Sequence, residues 1–265
     1  MKTDHPGDPV NRTMTPDTRR ALSATIRTLR ARLIGDLSDA VQATYRLDIC
    51  LRDAGLTPGL YAKRQRLEGH LRQAGRAAGA KGSAPYEAAY QRARQAMIEQ
   101  AAYTWLNRMV FLRVFEAHDL IQPKVLTGYP NSPAYQVWRE VAHELVYPRD
   151  PKRDPDGTAG YRALLELVFT ELAVDLPGLF APNALRALVP LRPETLRALA
   201  EALNKPALDA AWHDELLPGW VYQYFNDPAR EAIDAKLNAG GKVAPHEIAS
   251  KTQMFTERYM VDWLL

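Results

Sequence analysis

Seven apolar positions, Leu22, Ile26, Leu29, Leu33, Leu37, Val41 and Tyr45, recur at three- and four-residue steps through an otherwise polar stretch. Such spacing puts them on one face of a long amphipathic helix. Thr15-Pro16 opens it, a capping hydroxyl followed by a proline where no backbone N–H is required. The stripe predicts a helix reaching about Leu51, loosened at Gly35 and closed by the turn 53–59. A second helix is expected from Leu60 to about Ala77, dense in charge, with Lys63, Arg64, Arg66, Arg72 and Arg76.

After the flexible joint 79–85, with Ser83 as cap and Pro85 early in the next element, a third helix is predicted from Tyr86 to about His118. Its second half, Ala101 to Phe115, is apolar nearly all round and is expected to be the central core helix. Asn107 and Arg108 interrupt it. They read either as groups that satisfy loop carbonyls or a buried carboxylate, or as a functional polar site. Arg113 and Glu116 form an i,i+3 pair. Ser132-Pro133 begins a further helix, with Tyr135, Trp138, Val141, Ala142 and Leu145 facing inward.

The polar, proline-broken stretch 147–157 follows, either a boundary between lobes or an exposed loop. A helix restarts at Thr158 with Tyr161, Leu164, Leu165, Val168, Phe169 and Leu172 as its apolar set, and short helices follow. Trp220, Val221, Tyr224 and Phe225 at four-residue steps predict a helix covered on two faces. They act either as packing or as a stacking platform for bases. Asp227-Pro228 reads as the cap of a compact helix that ends at the Gly240-Gly241 pair. At the end, Thr256 reads as a cap for Tyr259, Met260, Trp263 and Leu264 at helical spacing. No period-two strand stands out. The fold class expected is all-α, a multi-helical array with long amphipathic helices.

Charge refines this outline. Residues 1–100 hold 17 Lys/Arg against 10 Asp/Glu, a net of +7; the remainder holds 17 against 21, a net of −4. The basic half is Arg-rich, which suits either a solvated helical surface or contact with nucleic-acid phosphates. Cys50 is the only cysteine. It excludes an internal disulfide and a thiolate cluster, and its Ile-Cys-Leu setting predicts burial. The histidines lack metal-ligand spacing, so no zinc site is expected. No apolar run approaches the ~20 residues that cross a bilayer, and residues 1–14 read as a disordered tail without a signal core. A cytoplasmic chain with no membrane partner is expected.

Gln253-Met-Phe-Thr-Glu-Arg-Tyr-Met-Val261, followed by Asp262, resembles the motif that opens the catalytic domain of N6-adenine DNA methyltransferases. Phe255 and Thr256 match its aromatic and threonine, and Glu257 stands where proline is usual. Asp214-Glu-Leu-Leu-Pro-Gly-Trp-Val-Tyr-Gln-Tyr-Phe-Asn-Asp227 resembles a signature of the BREX phage-defence methyltransferases, the PglX family. Segments 105–117 and 235–255 extend the likeness, which covers roughly residues 97–265.

The resemblance implies an N-terminal helical domain over 15–250, with a candidate sub-boundary at 148–157. Residues 251–265 would then be the start of a Rossmann-like methyltransferase domain continuing beyond this chain. It further implies S-adenosylmethionine as cofactor of the complete enzyme, with Phe255 and Thr256 contacting it. Double-stranded DNA is the implied substrate and other phage-defence proteins are implied partners. The glycine-rich cofactor turn and the Asn-Pro-Pro-Tyr-type loop are absent from residues 1–265. Asn226-Asp227-Pro228-Ala229 lacks the second proline and the aromatic. No catalytic residue is therefore assigned, and the chain alone is not expected to transfer a methyl group. The alternative is a stand-alone helical DNA-binding or protein-adaptor module.

Overall fold

In a computed structural model the stripe starting at Leu22 is the buried face of α1, Pro16–Tyr45. The structure describes residues 14–147, 157–181 and 188–243. Eight more α-helices follow among the described residues: α2 Pro58–Ala78, α3 Ala84–Ala117, α4 Pro133–Val141, α5 His143–Val146, α6 Tyr161–Asp175, α7 Pro177–Phe180, α8 Pro193–Leu203 and α9 Leu217–Asn238. The fold is all-α, and among the described residues there is no strand. No helix among them is long and apolar enough to cross a membrane. The chain divides into two compact units, Met1–Arg27 with Asn204–Leu265, and Thr28–Leu203.

In the larger unit α3 is the central element. No residue from Ala101 to Glu116 is exposed, as its all-round apolar character predicts. It packs along α2 and against α7 and α8. Arg108 donates to the carbonyls of Leu179, Phe180 and Ala181 at 2.9–3.0 Å, so it satisfies the end of α7. Glu116 does far more than pair with Arg113, whose nearest guanidinium nitrogen is 3.9 Å away. Its buried carboxylate accepts from the backbone N–H groups of Val125 and Leu126, both at 2.6 Å, and of Thr127 at 2.8 Å. The Thr127 hydroxyl donates to Glu116 as well and accepts from Arg113 at 2.7 Å. Val125 in turn accepts from the Tyr161 hydroxyl at 3.1 Å.

α1 stops at Tyr45 and does not continue to Leu51. Arg46 adopts a left-handed backbone, φ 49°. The carbonyls released there, of Tyr45, Arg46 and Ile49, all accept from the Arg64 guanidinium. Because the chain has left the helix, Cys50 is exposed, against the expected burial. Val141 and Leu145, expected inward, are exposed too. α4 ends at Val141, a one-turn α5 follows, and Leu145 falls on its outer side. Ser132 holds the cap position of α4 but makes no side-chain cap bond.

In the smaller unit the Asp214 carboxylate accepts from the Met14 N–H at 2.7 Å and the Leu216 N–H at 2.8 Å. Asp227-Pro228 is not a cap. Both residues lie inside the 22-residue α9, where Asp227 pairs with Arg230 at 2.6 Å. A proline withholds one intrahelical bond, but the buried Trp220, Val221, Tyr224 and Phe225 upstream and Ile233 downstream keep the helix continuous. The 251–265 motif lies outside the described residues.

Two tests address the buried polar groups. Glu116→Ala strands three buried backbone donors and removes the charge beside Arg113, and should cost about 3–5 kcal/mol in denaturant unfolding. Tyr161 is held well above its ordinary value of 10.0, first by burial and then by the Glu116 charge. Its protonated form is thus favoured in the fold. The resulting stability is complete below pH 10 and declines as pH rises toward the folded-state value. Burial also raises Tyr45 and Tyr90. Thermal unfolding from pH 8 to 11.5 should therefore show a decline that Tyr161→Phe reduces without abolishing.

Candidate nucleic-acid interface

α2 is built so that one side is core and the other is cationic. Thr57 accepts from the Leu60 N–H to cap it, and Pro58 supplies the preset first turn. Its buried side carries Arg64, Leu67, Glu68, Leu71 and Gly75. Gly75 lets α3 approach closely, because a Cβ there would come within 2.7 Å of the Tyr86 ring. Ser83 caps α3 by accepting from the Tyr86 N–H, as its sequence predicts.

The charges of α2 divide along the same line. Arg64 is 2% exposed and bonds Glu68 at 2.8 Å in addition to the three carbonyls at the end of α1. Glu68 also accepts from Arg72, whose side chain remains about half exposed. Lys63, Arg66 and Arg76 are exposed. Glu68 is the only acid between Asp53 and Glu87, and it is buried and occupied. The outward side of α2 and the following loop, with Lys81 exposed, therefore presents cations with no carboxylate among them. In solvent, four or five such groups attract a polyanion and are weakened by salt.

Other sequence candidates fall elsewhere. The α1 arginines are largely engaged: Arg20 with Asp17, Arg27 with Glu231 at 2.7 Å, Arg32 with Asp36 at 3.3 Å. The bond to Glu231 raises the pKa of Arg27. Arg19 lies over the Trp220 ring, 4.6 Å from its centroid. Trp220, Tyr224 and Phe225 are buried, so packing accounts for the aromatic cluster and no stacking platform is presented. Phe255 and Thr256 lie outside the described residues. Among the described residues no group of three or more His, Cys, Asp or Glu is placed to hold a metal ion. Sequence reading missed the burial of Arg64, although its i,i+4 spacing to Glu68, inside an apolar stripe of Leu67 and Leu71, was a usable signal.

The chain is 24% identical over 184 residues to the adenine-specific methyltransferase BrxX of Escherichia coli O9:H4 (strain HS), covering 64% of this chain and 15% of that protein. It is also 24% identical over 190 residues to the adenine-specific methyltransferase PglX of Lacticaseibacillus casei (strain Zhang), covering 64% of this chain and 16% of the relative. The chain is a distant relative of these methyltransferases. It spans only about a sixth of their length. No protein-family model matches it, and no solved structure matches it.

The division of charge has a direct consequence. Arg64→Ala should destabilise by about 3–5 kcal/mol because it leaves Glu68 buried and three carbonyls unserved. Arg66→Ala, on the exposed side, should stay within about 0.5 kcal/mol of the parent. Urea unfolding of the two variants side by side measures the contrast.

Proposed function

We propose that this chain is the non-catalytic helical part of an adenine-specific DNA methyltransferase of the BrxX/PglX kind, and that α2 holds duplex DNA by its phosphates. The observation that carries the reading is the acid-free outward side of α2 and its following loop, with Lys63, Arg66, Arg76 and Lys81 exposed and Glu68 occupied by Arg64 and Arg72. The distant relation to two adenine-specific methyltransferases supports the choice of DNA over other polyanions. Phosphate contacts position a protein on a duplex without reading its sequence. In this reading the helical domain occupies residues 15–250 and places the DNA, and residues 251–265 begin the domain that carries the chemistry. S-adenosylmethionine is bound by that domain, with Phe255 packing against it and Thr256 supplying a hydrogen bond. Other phage-defence proteins are partners of the complete enzyme, as the PglX resemblance implies.

Fluorescence anisotropy with a labelled 20-base-pair duplex tests the DNA contact. About four phosphate contacts give a log–log salt slope of about −3.6, so affinity should fall on the order of 100-fold between 50 and 200 mM NaCl. The double variant Arg66→Glu/Arg76→Glu should lower the slope magnitude by about two and keep the parent's thermal stability. Binding that ignores salt, or that survives the double reversal unchanged, removes α2 as the interface. Incubation of the chain with duplex and labelled S-adenosylmethionine should leave the DNA unmethylated. Methyl transfer by residues 1–265 would contradict the non-catalytic assignment.

A further inference from the structure

Away from α2, the same unit carries an apolar groove of about 300 Å³ between α4 and α6. Val137, Trp138 and Val141 form one wall, and Leu164, Leu167 and Val168 the other. Both sets follow the three- and four-residue steps of a helical ridge. Val141 is 77% exposed, Val137 54% and Leu167 48%. Contiguous exposure of this kind marks an interaction surface more often than a solvated one. The walls are fixed to each other before anything binds. Trp138 Nε1 donates to the Gly160 carbonyl at 3.0 Å, and the Tyr135 hydroxyl donates to that of Ala159 at 2.7 Å.

Charge narrows the occupant. Glu171 lies in the groove lining, and Glu140, Glu144 and Asp175 sit on the wall helices and on α5. None of these four has an ion pair among the described residues. The cations on the same helices are occupied, Arg162 with Glu166 at 3.0 Å and Arg139 over the Tyr135 ring at 5.1 Å. A surface with free carboxylates repels DNA phosphates and anionic lipid headgroups. The basic helix exposed by this chain, α2, presents Ala62, Gly69 and Gln73 between its cations, and Tyr61 alone among its large apolar side chains is exposed, too little to fill two ridges. Two parallel ridges call for apolar side chains at i, i+3, i+4 and i+7 of one helix.

We infer that the α4–α6 groove docks a basic amphipathic helix from a protein partner. Its apolar side chains enter between Val141 and Leu167, and its Lys/Arg side meets Glu140, Glu144, Glu171 and Asp175. This inference stands independently of DNA binding by α2.

The test uses the whole chain and a fluorescein-labelled 16-residue peptide with Leu at i, i+3, i+4 and i+7 and Lys elsewhere. One control peptide has the same composition with the Leu residues spread around the helix, and a second has Glu in place of Lys. The patterned Lys peptide should bind at least about tenfold more tightly than either control. Leu167→Glu and Val141→Glu should each weaken it about tenfold or more with unchanged thermal unfolding, since both side chains are already exposed. Glu140→Lys/Glu171→Lys should weaken it and flatten its salt dependence. Equal binding of the scrambled peptide, indifference to the groove variants, or no binding at 500 µM peptide overturns the inference. So does concentration-dependent dimerisation abolished by Leu167→Glu, which gives the groove to a second copy. Binding to phosphatidylglycerol vesicles abolished by the same variant gives it to a membrane, with the same consequence.

Discussion

The larger unit is organised by a carboxylate placed where water cannot reach it. Glu116 stands at the end of the central helix with its side chain fully buried. A buried charge persists only when hydrogen bonds replace its hydration. Three successive backbone N–H groups, those of Val125, Leu126 and Thr127, do so here. The loop must therefore wrap round Glu116 in one conformation. Wrapping buries Val125 and Leu126 and turns the Val125 carbonyl toward the Tyr161 hydroxyl. The Lys124 carbonyl then accepts from the Ala134 N–H at the start of α4. A single acidic side chain on α3 thus sets where α4 begins and where α6 is anchored, and through them the groove between the two.

Arg64 solves the matching problem at the other end of the unit. The end of a helix leaves carbonyls without partners, and α1 ends against the interior. A planar guanidinium with five donors meets three of those carbonyls and Glu68 together. A lysine would offer three donors from one point and could not span them. This arrangement also decides the chemistry outside. By drawing Glu68 inward, Arg64 leaves the outer side of α2 without a negative group, and the remaining cations there face solvent.

Long periodic elements were legible from residues alone. The α1 stripe, the turn over 53–59, the Ser83 cap and the all-round apolar half of α3 depend on local spacing, and tertiary packing only reinforces them. Misreadings arose where a distant partner decided the outcome. The early end of α1, and with it the exposure of Cys50, depends on Arg64, which is 19 residues from Tyr45. Glu116 looked like one half of a local pair because the N–H groups it serves belong to a loop with no distinctive composition. Pro228 looked like a helix start because proline is rarely tolerated inside one, and flanking burial outweighed that preference. Val141 and Leu145 were assigned inward because apolar character predicts burial in general, but α4 ends at Val141 and both side chains are exposed. The basic candidate face was visible as an excess of arginine, but which arginines face solvent was not.

Charge is separated within one unit with little cost to its core. Lys63, Arg66 and Arg76 face outward on α2 with no carboxylate on that side, and Glu140, Glu144, Glu171 and Asp175 around the α4–α6 groove have no ion pair among the described residues. Had the two sets been interleaved, surface pairs worth at most about 1 kcal/mol each would have formed, and neither face would carry a field. Keeping them apart forgoes that small stabilisation and gives each face one sign. A polyanion and a cationic helix can then be held by the same unit without competing for the same groups. If α2 holds DNA and the groove holds a basic helix, as proposed, the unit joins a nucleic acid to a second protein.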